Sequence, residues 1–520
     1  MVRRTLAPVL LGLLLTPTAF AINAPEVDKI SEKHLKSNLE FIAHDLLEGR
    51  DTPSRGLDIA ALFISTQLKI YGVQPGGENG TYLQKMPLES TVLNAENSML
   101  TIDGKSITLG EGFLPTGLTA ADVQSTPVFV ASGWANVSKG IDPMKGLPLK
   151  GAIVITDNAL PEGLTMRDAT RDPNWESPAV AAKRHGAVAV ITIANNPSTV
   201  SWKRQLDRMV AGGRYAPKSN NPVAALPVVT VTPEIGESLK TAALNAARAE
   251  FASAGPTITL KLDVQRREVI THNVIGIIPG TDPTLSKEYI SIGAHYDHVG
   301  MSTADGTGDT IFNGADDNGS GTVALLEIAR VIATGQRPKR STLFIWYTGE
   351  EKGLWGSQYF CDNPTVDLKQ IVFNVNLDMV SMSRPAGDTN PRNEKLAGVN
   401  EIHAIGPKLI SSQITKTLTE VNNATVKMVL RDDYDRMDDP ERIFYRSDHY
   451  SFVQKGIPAI FMFCGPHEHY HQRSDEIEVV DFAKLTKSTK LMYGLIYEFA
   501  SQSNRIVIDG PVKNLFQSGS

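Results

Sequence analysis

The stretch Tyr289-Ile-Ser-Ile-Gly-Ala-His-Tyr-Asp297 decides the fold class of this chain. Its first six residues are almost continuously apolar, and two titratable side chains, His295 and Asp297, follow them. A strand that is apolar on both faces belongs in the middle of a sheet that helices cover. The stretch therefore predicts a central strand of an α/β sheet with polar residues at its carboxyl end.

Four further apolar runs repeat this pattern in the second half of the chain: residues 274–278, 342–347, 371–377 and 459–463. Residues 321–333 place Val323, Leu326, Ala329 and Ile332 at helical spacing, which predicts a helix that packs on the sheet. We therefore predict an α/β fold in which a mostly parallel central sheet is sandwiched by helices.

The N-terminus has the pattern of an export signal. Arg3 and Arg4 precede a short apolar run at residues 6–15, and Ala19-Phe-Ala21 supplies the small residues of a cleavage site. We expect the mature chain to begin near Ile22 and to be periplasmic or extracellular. A buried N-terminal helix or a membrane anchor is the alternative interpretation.

The composition excludes several classes of protein. The chain has 520 residues, of which 41% are hydrophobic and 21% are charged, as in globular proteins with two or three domains. Its net charge of −6 gives no basic field for nucleic acid, and no later segment is apolar enough to span a membrane. The sequence leaves open whether Cys361 and Cys464 form a disulfide, and it does not indicate an oligomeric state.

Polar motifs follow the predicted strands. They are His295-Tyr-Asp297, Gly314-Ala-Asp-Asp-Asn-Gly-Ser-Gly321, Thr348-Gly-Glu-Glu351, Asn376-Leu-Asp378 and Tyr470-His471. Ligands of open α/β sheets bind at the carboxyl ends of the strands, so these motifs are expected to meet there. Several carboxylates in one place repel each other unless cations neutralise them, and mixed imidazole and carboxylate ligands suit Zn²⁺. A bridging carboxylate would allow two ions about 3.5–4 Å apart.

These motifs resemble those of the co-catalytic zinc aminopeptidases, a family related to glutamate carboxypeptidase and to the catalytically inactive transferrin receptor. The resemblance covers nearly the whole mature chain and includes the early segment Leu47-Glu-Gly-Arg50. It implies two Zn²⁺ ions and peptide substrates. The implied metal ligands are His295 and Asp378 for one ion, Glu351 and His471 for the other, and Asp317 as the bridge, followed by a cis peptide bond to Asn318.

The resemblance also implies the catalytic roles. Glu350 would be the general base that activates the attacking water, and Asp297 would orient the metal-bound His295. Tyr470 would donate a hydrogen bond to the developing oxyanion. Asp317 is preferred over Asp316 because the family fixes the second position of that acidic pair.

The middle of the chain resembles a protease-associated domain. Its matching features are the strand Gly151-Ala-Ile-Val-Ile155, the Ala-rich segment at residues 182–190 and the strand Leu226-Pro-Val-Val229. The predicted organisation is a signal peptide, two parts of a catalytic domain around this insertion, and a tail. The corresponding boundaries are residues 1–21 for the signal, 22–120 and 264–505 for the catalytic domain, 121–263 for the insertion and 506–520 for the tail.

Some assignments stay open at this point. We interpret His298, His467 and His469 as lying outside the ligand set, in which His467 and His469 are the alternatives to His471. A carboxypeptidase or dipeptidase on the same metal core is the main alternative function. A non-catalytic receptor and a single-zinc glutaminyl cyclase are further alternatives. Arginines near the late motifs would suit a substrate carboxylate, namely Arg442, Arg446 and Arg473.

Overall fold

The structure, a computed structural model, divides into two compact units. It describes residues 24–516 except for residues 158, 167–168, 170–171, 196–198, 212–213, 219–224, 249–254, 304–305 and 307. The predicted signal peptide and the last four residues of the predicted tail therefore lie outside the described residues. The first unit comprises the described residues up to Met86 and from Thr271 onward, and the second comprises Pro87–Ile270.

The strands of the described chain are β1 Gln74–Pro75, β2 Leu83–Ile102, β3 Lys105–Ile107, β4 Phe113–Pro115, β5 Ala121–Ser125, β6 Pro127–Phe129, β7 Ile153–Thr156, β8 Ala189–Ile193, β9 Arg214–Pro217, β10 Val228–Val231, β11 Ile258–Ile278, β12 Tyr289–His295, β13 Ser341–Tyr347, β14 Ile371–Leu377, β15 Glu401–Ile405, β16 Val429–Arg431 and β17 Ala459–Phe463.

The α-helices are α1 Glu32–Ile42, α2 Arg55–Tyr71, α3 Pro178–Arg184, α4 Thr199–Ala211, α5 Pro233–Arg248, α6 Gly321–Thr334, α7 Trp355–Asp362, α8 Pro407–Ile410, α9 Ser412–Ala424, α10 His449–Val453 and α11 Phe482–Ser501. A π-helical turn, Ala315–Ser320, leads directly into α6.

The sheet of the first unit is mixed, with parallel strands in its middle. Its strands lie in the order β16-β15-β17-β14-β12-β13-β11. The four strands β13, β12, β14 and β17 are parallel to one another, whereas β11 and β15 run antiparallel to their neighbours β13 and β17. Every residue of β13, β14 and β17 is buried. The predicted α/β fold with a mostly parallel central sheet between helices is confirmed.

The helices of the first unit show the capping and spacing expected from the sequence. The hydroxyl of Ser31 accepts a hydrogen bond from the main chain of α1, and Leu35, Leu39 and Ile42 form the buried face of that helix. Gly72 ends α2 in the left-handed conformation at φ 75°. Nearly all of α6 is buried, because it packs against α1, α2, α11 and the strands β12 and β14.

The second unit has its own sheet and its own core. Its strands lie in the order β4-β10-β8-β7-β6, in which β10, β8, β7 and β6 are parallel and β4 is antiparallel. Buried side chains of this sheet pack with Leu239 of α5. The assignment of residues 121–263 to a protease-associated domain stays a prediction.

The second unit begins earlier in the chain than the predicted insertion. Residues 87–120, which the sequence analysis gave to the first part of the catalytic domain, belong to this unit. The reason is strand pairing over long sequence separations, since β4 pairs with β10 and Leu88 of β2 lies opposite Pro217 of β9. Local composition carries no signal for such pairs.

Both cysteines are free thiols. Cys361 lies in α7 and Cys464 follows β17, and both side chains are buried. Among the described helices, none combines the length and the hydropathy that crossing a lipid bilayer requires.

His403 is a neutral histidine in the core of the first unit. Its Nε2 lies 3.0 Å from the main-chain oxygen of Lys395, and its ring packs on Tyr434 with 4.9 Å between centroids. Burial lowers the pKa of His403 to about 4. An unfolded histidine titrates near pH 6.5, so below that pH the unfolded chain binds a proton that the folded chain does not.

We therefore expect the free energy of unfolding to fall as the pH drops from about 6.5 towards 4. At pH 5, His403 alone should account for a loss of about 2 kcal/mol. Substitution His403→Gln should flatten this dependence, as measured by denaturant unfolding at pH 7 and pH 5 in the presence of a chelator. The exposed His44 changed to glutamine is the control. An unchanged slope in the His403 variant would contradict the assignment.

Candidate metal centre

Parallel strands bring three of the predicted site residues to one edge of the sheet. His295 is the last residue of β12, Asp378 follows β14 directly, and Glu351 lies shortly after β13. Strand β12 lies between β13 and β14 and is parallel to both. The carboxyl ends of the three strands therefore meet at the edge where ligands of open α/β sheets bind.

His295 and Asp378 form one half of a cluster around Asp317. His295 Nε2 lies 3.3 Å from Asp378 Oδ1 and 3.5 Å from Asp317 Oδ1. The hydroxyl of Ser447 donates to Asp378 Oδ2 at 2.5 Å, which leaves Oδ1 facing the histidine. Donor atoms of the three side chains lie within 4.8 Å of one another, so they can share one cation.

His471 and Glu351 form the other half. His471 Nε2 lies 2.9 Å from Glu351 Oε2 and 3.2 Å from Asp317 Oδ2. Because Asp317 turns one oxygen toward His295 and the other toward His471, its carboxylate lies between the two halves. The structure thus brings together the five side chains that the resemblance implied as metal ligands.

His298 lies in this second half, although the sequence analysis placed it outside the site. Its Nδ1 is 2.9 Å from Glu351 Oε1 and 3.7 Å from Asp317 Oδ2, and its side chain is fully buried. The main-chain N–H of His298 donates to the carbonyl of Arg50, which turns the loop after β12 back toward the site. The only sequence signal for placing His298 in the site was its position three residues after His295. That position does not show that the loop turns back toward the site.

Asp317 is presented by the π-helical turn Ala315–Ser320. The peptide bond between Asp317 and Asn318 is cis, as the resemblance implied. The side chain of Asn318 donates to the carbonyl of Leu377 and accepts from the N–H of Gly321, both at 2.9 Å. These two bonds tie the turn to the end of β14 and to the start of α6.

The neighbouring acids Asp316 and Asp317 point in different directions. The carboxylate of Asp316 faces away from the cluster and accepts hydrogen bonds from Cys464 Sγ at 3.2 Å and His467 Nε2 at 3.1 Å. His467 was an alternative to His471 in the sequence analysis, and this hydrogen bond holds it on Asp316 instead. Among the described residues, Asp317 is the member of the acidic pair that belongs to both halves of the cluster.

The buried carboxylates favour protonation of the two histidines. Burial alone would lower the pKa of His471, but hydrogen bonds to Asp317 and Glu351 raise it to about 10. The pKa of His295 also lies well above its usual value, because the charge of Asp378 and its neighbours outweighs the effect of burial. Charges that attract protons this strongly attract divalent cations as well.

Glu350 lies beside the cluster without belonging to either half. Removal of its carboxyl from water raises the pKa of Glu350 well above the usual value, and the positive charge of His295 opposes that effect. Its main-chain N–H donates to Asp297 Oδ1 at 3.2 Å. A carboxyl group with a raised pKa is suited to accept a proton and return it.

Asp297 lies behind His295, but its carboxylate is not the nearest acceptor for the ring. The main-chain oxygen of Asp297 is 3.2 Å from His295 Nδ1, whereas its Oδ1 is 3.7 Å away. The main-chain carbonyl is thus the nearer acceptor for the imidazole, and the carboxylate also accepts from the main chain of Glu350. The orienting role of the Asp297 carboxylate stays a prediction.

Tyr470 lines the cleft beside His471, and the two rings stack with 4.0 Å between centroids. Burial and the negative charges of Asp317 and Glu351 raise the pKa of Tyr470, so its hydroxyl stays a hydrogen-bond donor. The cleft encloses a cavity of about 70 Å³. Its other walls are formed by Met379, Ile443, Arg446, Phe461, Phe463 and Pro466.

Arg50 ties the N-terminal segment to the loops of the site. Its fully buried guanidinium donates to the main-chain oxygens of Ile42, Tyr296, Asn313 and Gly314 at distances of 2.5 to 3.0 Å. The carbonyls of Tyr296 and Gly314 belong to the segments that carry His295 and Asp317. The segment Leu47-Glu-Gly-Arg50, quoted above for its resemblance, thus supports the site without contributing a ligand.

Comparison with known families agrees with this geometry. Residues 273–496 match the model of Peptidase family M28. The matched range is less than half of the chain. All residues of the metal cluster, from His295 to His471, lie inside the matched range.

Proteins similar to this chain include some that are named as aminopeptidases. A probable leucine aminopeptidase of Arthroderma benhamiae is 28% identical over 249 residues, which cover 46% of this chain and 61% of that protein. A probable lipoprotein aminopeptidase of Mycobacterium tuberculosis is 26% identical over 442 residues, which cover 79% of this chain and 74% of that protein. The chain thus spans about 61% of the length of the first of these relatives.

The structure also resembles that of an aminopeptidase from Aneurinibacillus sp. strain AM-1. The TM-score is 0.52 at 19% identity, and the similarity covers 93% of this chain and 97% of the other. At this identity the likeness concerns the fold.

Proposed function

We propose that this chain is an exported two-zinc aminopeptidase that releases N-terminal amino acids from peptides. The observation that carries the proposal is the position of Asp317, whose two oxygens face His295 and His471 at 3.5 and 3.2 Å. A carboxylate with one histidine on each side can bridge two ions about 3.5–4 Å apart.

Zn²⁺ fits the donor set of this site. His295 and Asp378 would hold one ion, Glu351 and His471 would hold the other, and Asp317 would bridge them. Two ligands about 2.0 Å from one tetrahedral zinc ion lie about 3.3 Å from each other. Neighbouring donor atoms are 2.9 to 3.5 Å apart here, so the side chains need little rearrangement.

Zinc, when bound, would supply a water molecule of lowered pKa and would polarise the scissile carbonyl. Glu350 would take the proton from that water and deliver it to the leaving amine. Its raised pKa suits the first step, because a carboxylate of ordinary pKa is a weaker base and would take the proton from the water less readily.

The neighbouring residues would orient this machinery. Tyr470 would donate a hydrogen bond to the oxyanion, since its hydroxyl remains protonated. Asp297 would hold the main chain of Glu350, and His298 would fix one oxygen of Glu351 through their 2.9 Å contact.

The names of the similar proteins support an aminopeptidase. Arg446 lines the cleft and favours a second candidate, a carboxypeptidase or dipeptidase, because a guanidinium binds a substrate carboxylate. A single-zinc glutaminyl cyclase would differ in its metal content.

Export is part of the proposal. It is supported by the signal-like pattern at residues 1–21 and by a relative named as a lipoprotein aminopeptidase. The second unit would be an inserted protease-associated domain.

Substitution Glu350→Ala should preserve the metal content and lower kcat by at least about 100-fold, because general acid–base catalysis contributes this much or more. Zinc analysis of the purified variant and steady-state kinetics on an aminoacyl substrate measure both quantities. A variant with the kcat of the unmodified enzyme would contradict the role of Glu350 as the base.

Removal of metal should abolish activity, and added Zn²⁺ should restore it. The restored enzyme is expected to contain about two zinc ions per chain, since each half of the cluster with its bridging carboxylate can hold one. Metal analysis after dialysis against a chelator checks this number. Full activity without metal would contradict the mechanism, and a count of one would favour the cyclase alternative.

A peptide with a free N-terminus should be cleaved at its first bond, whereas its N-acetylated counterpart should not. Acetylation removes the free ammonium group by which an aminopeptidase distinguishes the N-terminus of its substrate. Mass spectrometry of the products distinguishes the cleaved end, and a C-terminally amidated peptide is the matched control. Cleavage at the C-terminal bond that amidation prevents would instead support the carboxypeptidase.

A further inference from the structure

Two ligands of the metal cluster lie on loops rather than on strands. Asp317 belongs to the π-helical turn before α6, and His471 lies eight residues beyond the end of β17. His471 adopts a left-handed conformation at φ 54°, and about a third of its side chain is exposed. Metal sites need their ligands held within about 0.5 Å, so these two loops require anchors of their own.

One anchor is the buried carboxylate of Asp316. Its Oδ2 accepts hydrogen bonds from Cys464 Sγ at 3.2 Å and His467 Nε2 at 3.1 Å. Its Oδ1 accepts from the N–H and the hydroxyl of Ser381, at 2.8 and 2.5 Å. Asp316, Cys464 and His467 are all fully or almost fully buried, so each of these bonds is shielded from water.

The second anchor is Asp475, which follows His471 in the chain and accepts hydrogen bonds from the segment that carries Asp317. The carboxylate of Asp475 accepts from the main-chain N–H groups of Asp316 at 2.9 Å and Asp317 at 3.0 Å. The main-chain oxygen of Asp475 accepts from the N–H of Ala315 at 3.0 Å. The segment that carries Asp317 and the segment that carries His471 therefore hold each other by reciprocal hydrogen bonds.

We propose that Asp316, Cys464, His467 and Asp475 form a clasp that positions Asp317 and His471 for the second metal ion. Its members are positioning residues, because none of them reaches the substrate cleft. The clasp sets the 3.2 Å distance between His471 Nε2 and Asp317 Oδ2 by locking the two loops together. This inference rests on the proposed two-zinc function.

Three of these four side chains could also be considered a metal site, because Asp316, Cys464 and His467 place donor atoms within 4.8 Å of one another. Hydrogen bonding already uses both oxygens of Asp316. The buried ammonium group of Lys484 donates a hydrogen bond to the carbonyl of Met382. It also interacts electrostatically with Asp316 and Cys464. A nearby buried cation opposes a third metal ion, so the clasp is interpreted as a hydrogen-bonded structure.

The test is zinc and cobalt binding to the full-length protein with the substitution His467→Leu. The clasp predicts that the affinity for the ion at Glu351 and His471 falls about 10–100-fold, as for other residues that support metal ligands. Competition with a chromophoric chelator measures this affinity, and the absorption spectrum of the Co²⁺ form should change. We expect kcat to fall more than KM rises.

Matched variants separate positioning from general stability. His467→Gln keeps a donor near the place of Nε2 and should restore most of the affinity and the cobalt spectrum. His469→Leu lies in the same segment, where its Nδ1 contacts the Ser474 hydroxyl, and should behave like the unmodified protein. Should His467→Leu not fold, Asp316→Asn, which retains the volume of the side chain, carries the same prediction.

The outcomes are distinct. Unmodified zinc affinity and cobalt spectrum in both His467→Leu and Asp316→Asn would overturn the clasp while leaving the proposed function intact. A third zinc equivalent that His467→Leu removes would also overturn it, because the cluster would then be a metal site. An unmodified protein that binds no zinc would overturn the proposed function and the clasp together.

Discussion

The architecture of the first unit depends on negative charge that is concentrated at one edge of its sheet. Asp317, Glu351 and Asp378 approach one another where little water reaches them, and Glu350 adds a fourth carboxyl. Buried carboxylates at such distances cannot all remain ionised without compensating positive charge. His295 and His471 can provide it, because the surrounding carboxylates raise their pKa values, and the same electrostatic condition makes the site suited to divalent cations.

The ligands of this site come from two kinds of segment, namely strand ends and loops. The carboxyl ends of parallel strands place His295, Asp378 and Glu351, whose positions follow from the register of β12, β13 and β14. Asp317 and His471 have no such support from the sheet. They are fixed by hydrogen bonds between loops, and the guanidinium of Arg50 holds further carbonyls of the same region.

Much of the first unit could be predicted because its signals are local. The five apolar runs became strands within a residue or two of their predicted ends, apart from the much longer β11, and the helix predicted at residues 321–333 is α6. Three of the chosen ligands, His295, Asp378 and Glu351, converge because they lie at or just beyond the carboxyl ends of adjacent parallel strands. The boundary of the second unit was not predictable in this way, since residues 87–120 join it through pairing with strands far along the chain.

The sequence by itself determined the α/β class of the first unit and the residue types of a candidate metal site at the carboxyl ends of its strands. Apolar periodicity and strand-end motifs are local properties, so they can be read without coordinates. Only the tertiary structure decided that His298 contacts Glu351, that His467 binds Asp316, and that the carboxylate of Asp297 lies 3.7 Å from the imidazole it was expected to orient. These contacts depend on how loops return to one another, which is set by long-range hydrogen bonds and packing rather than by neighbours in the chain.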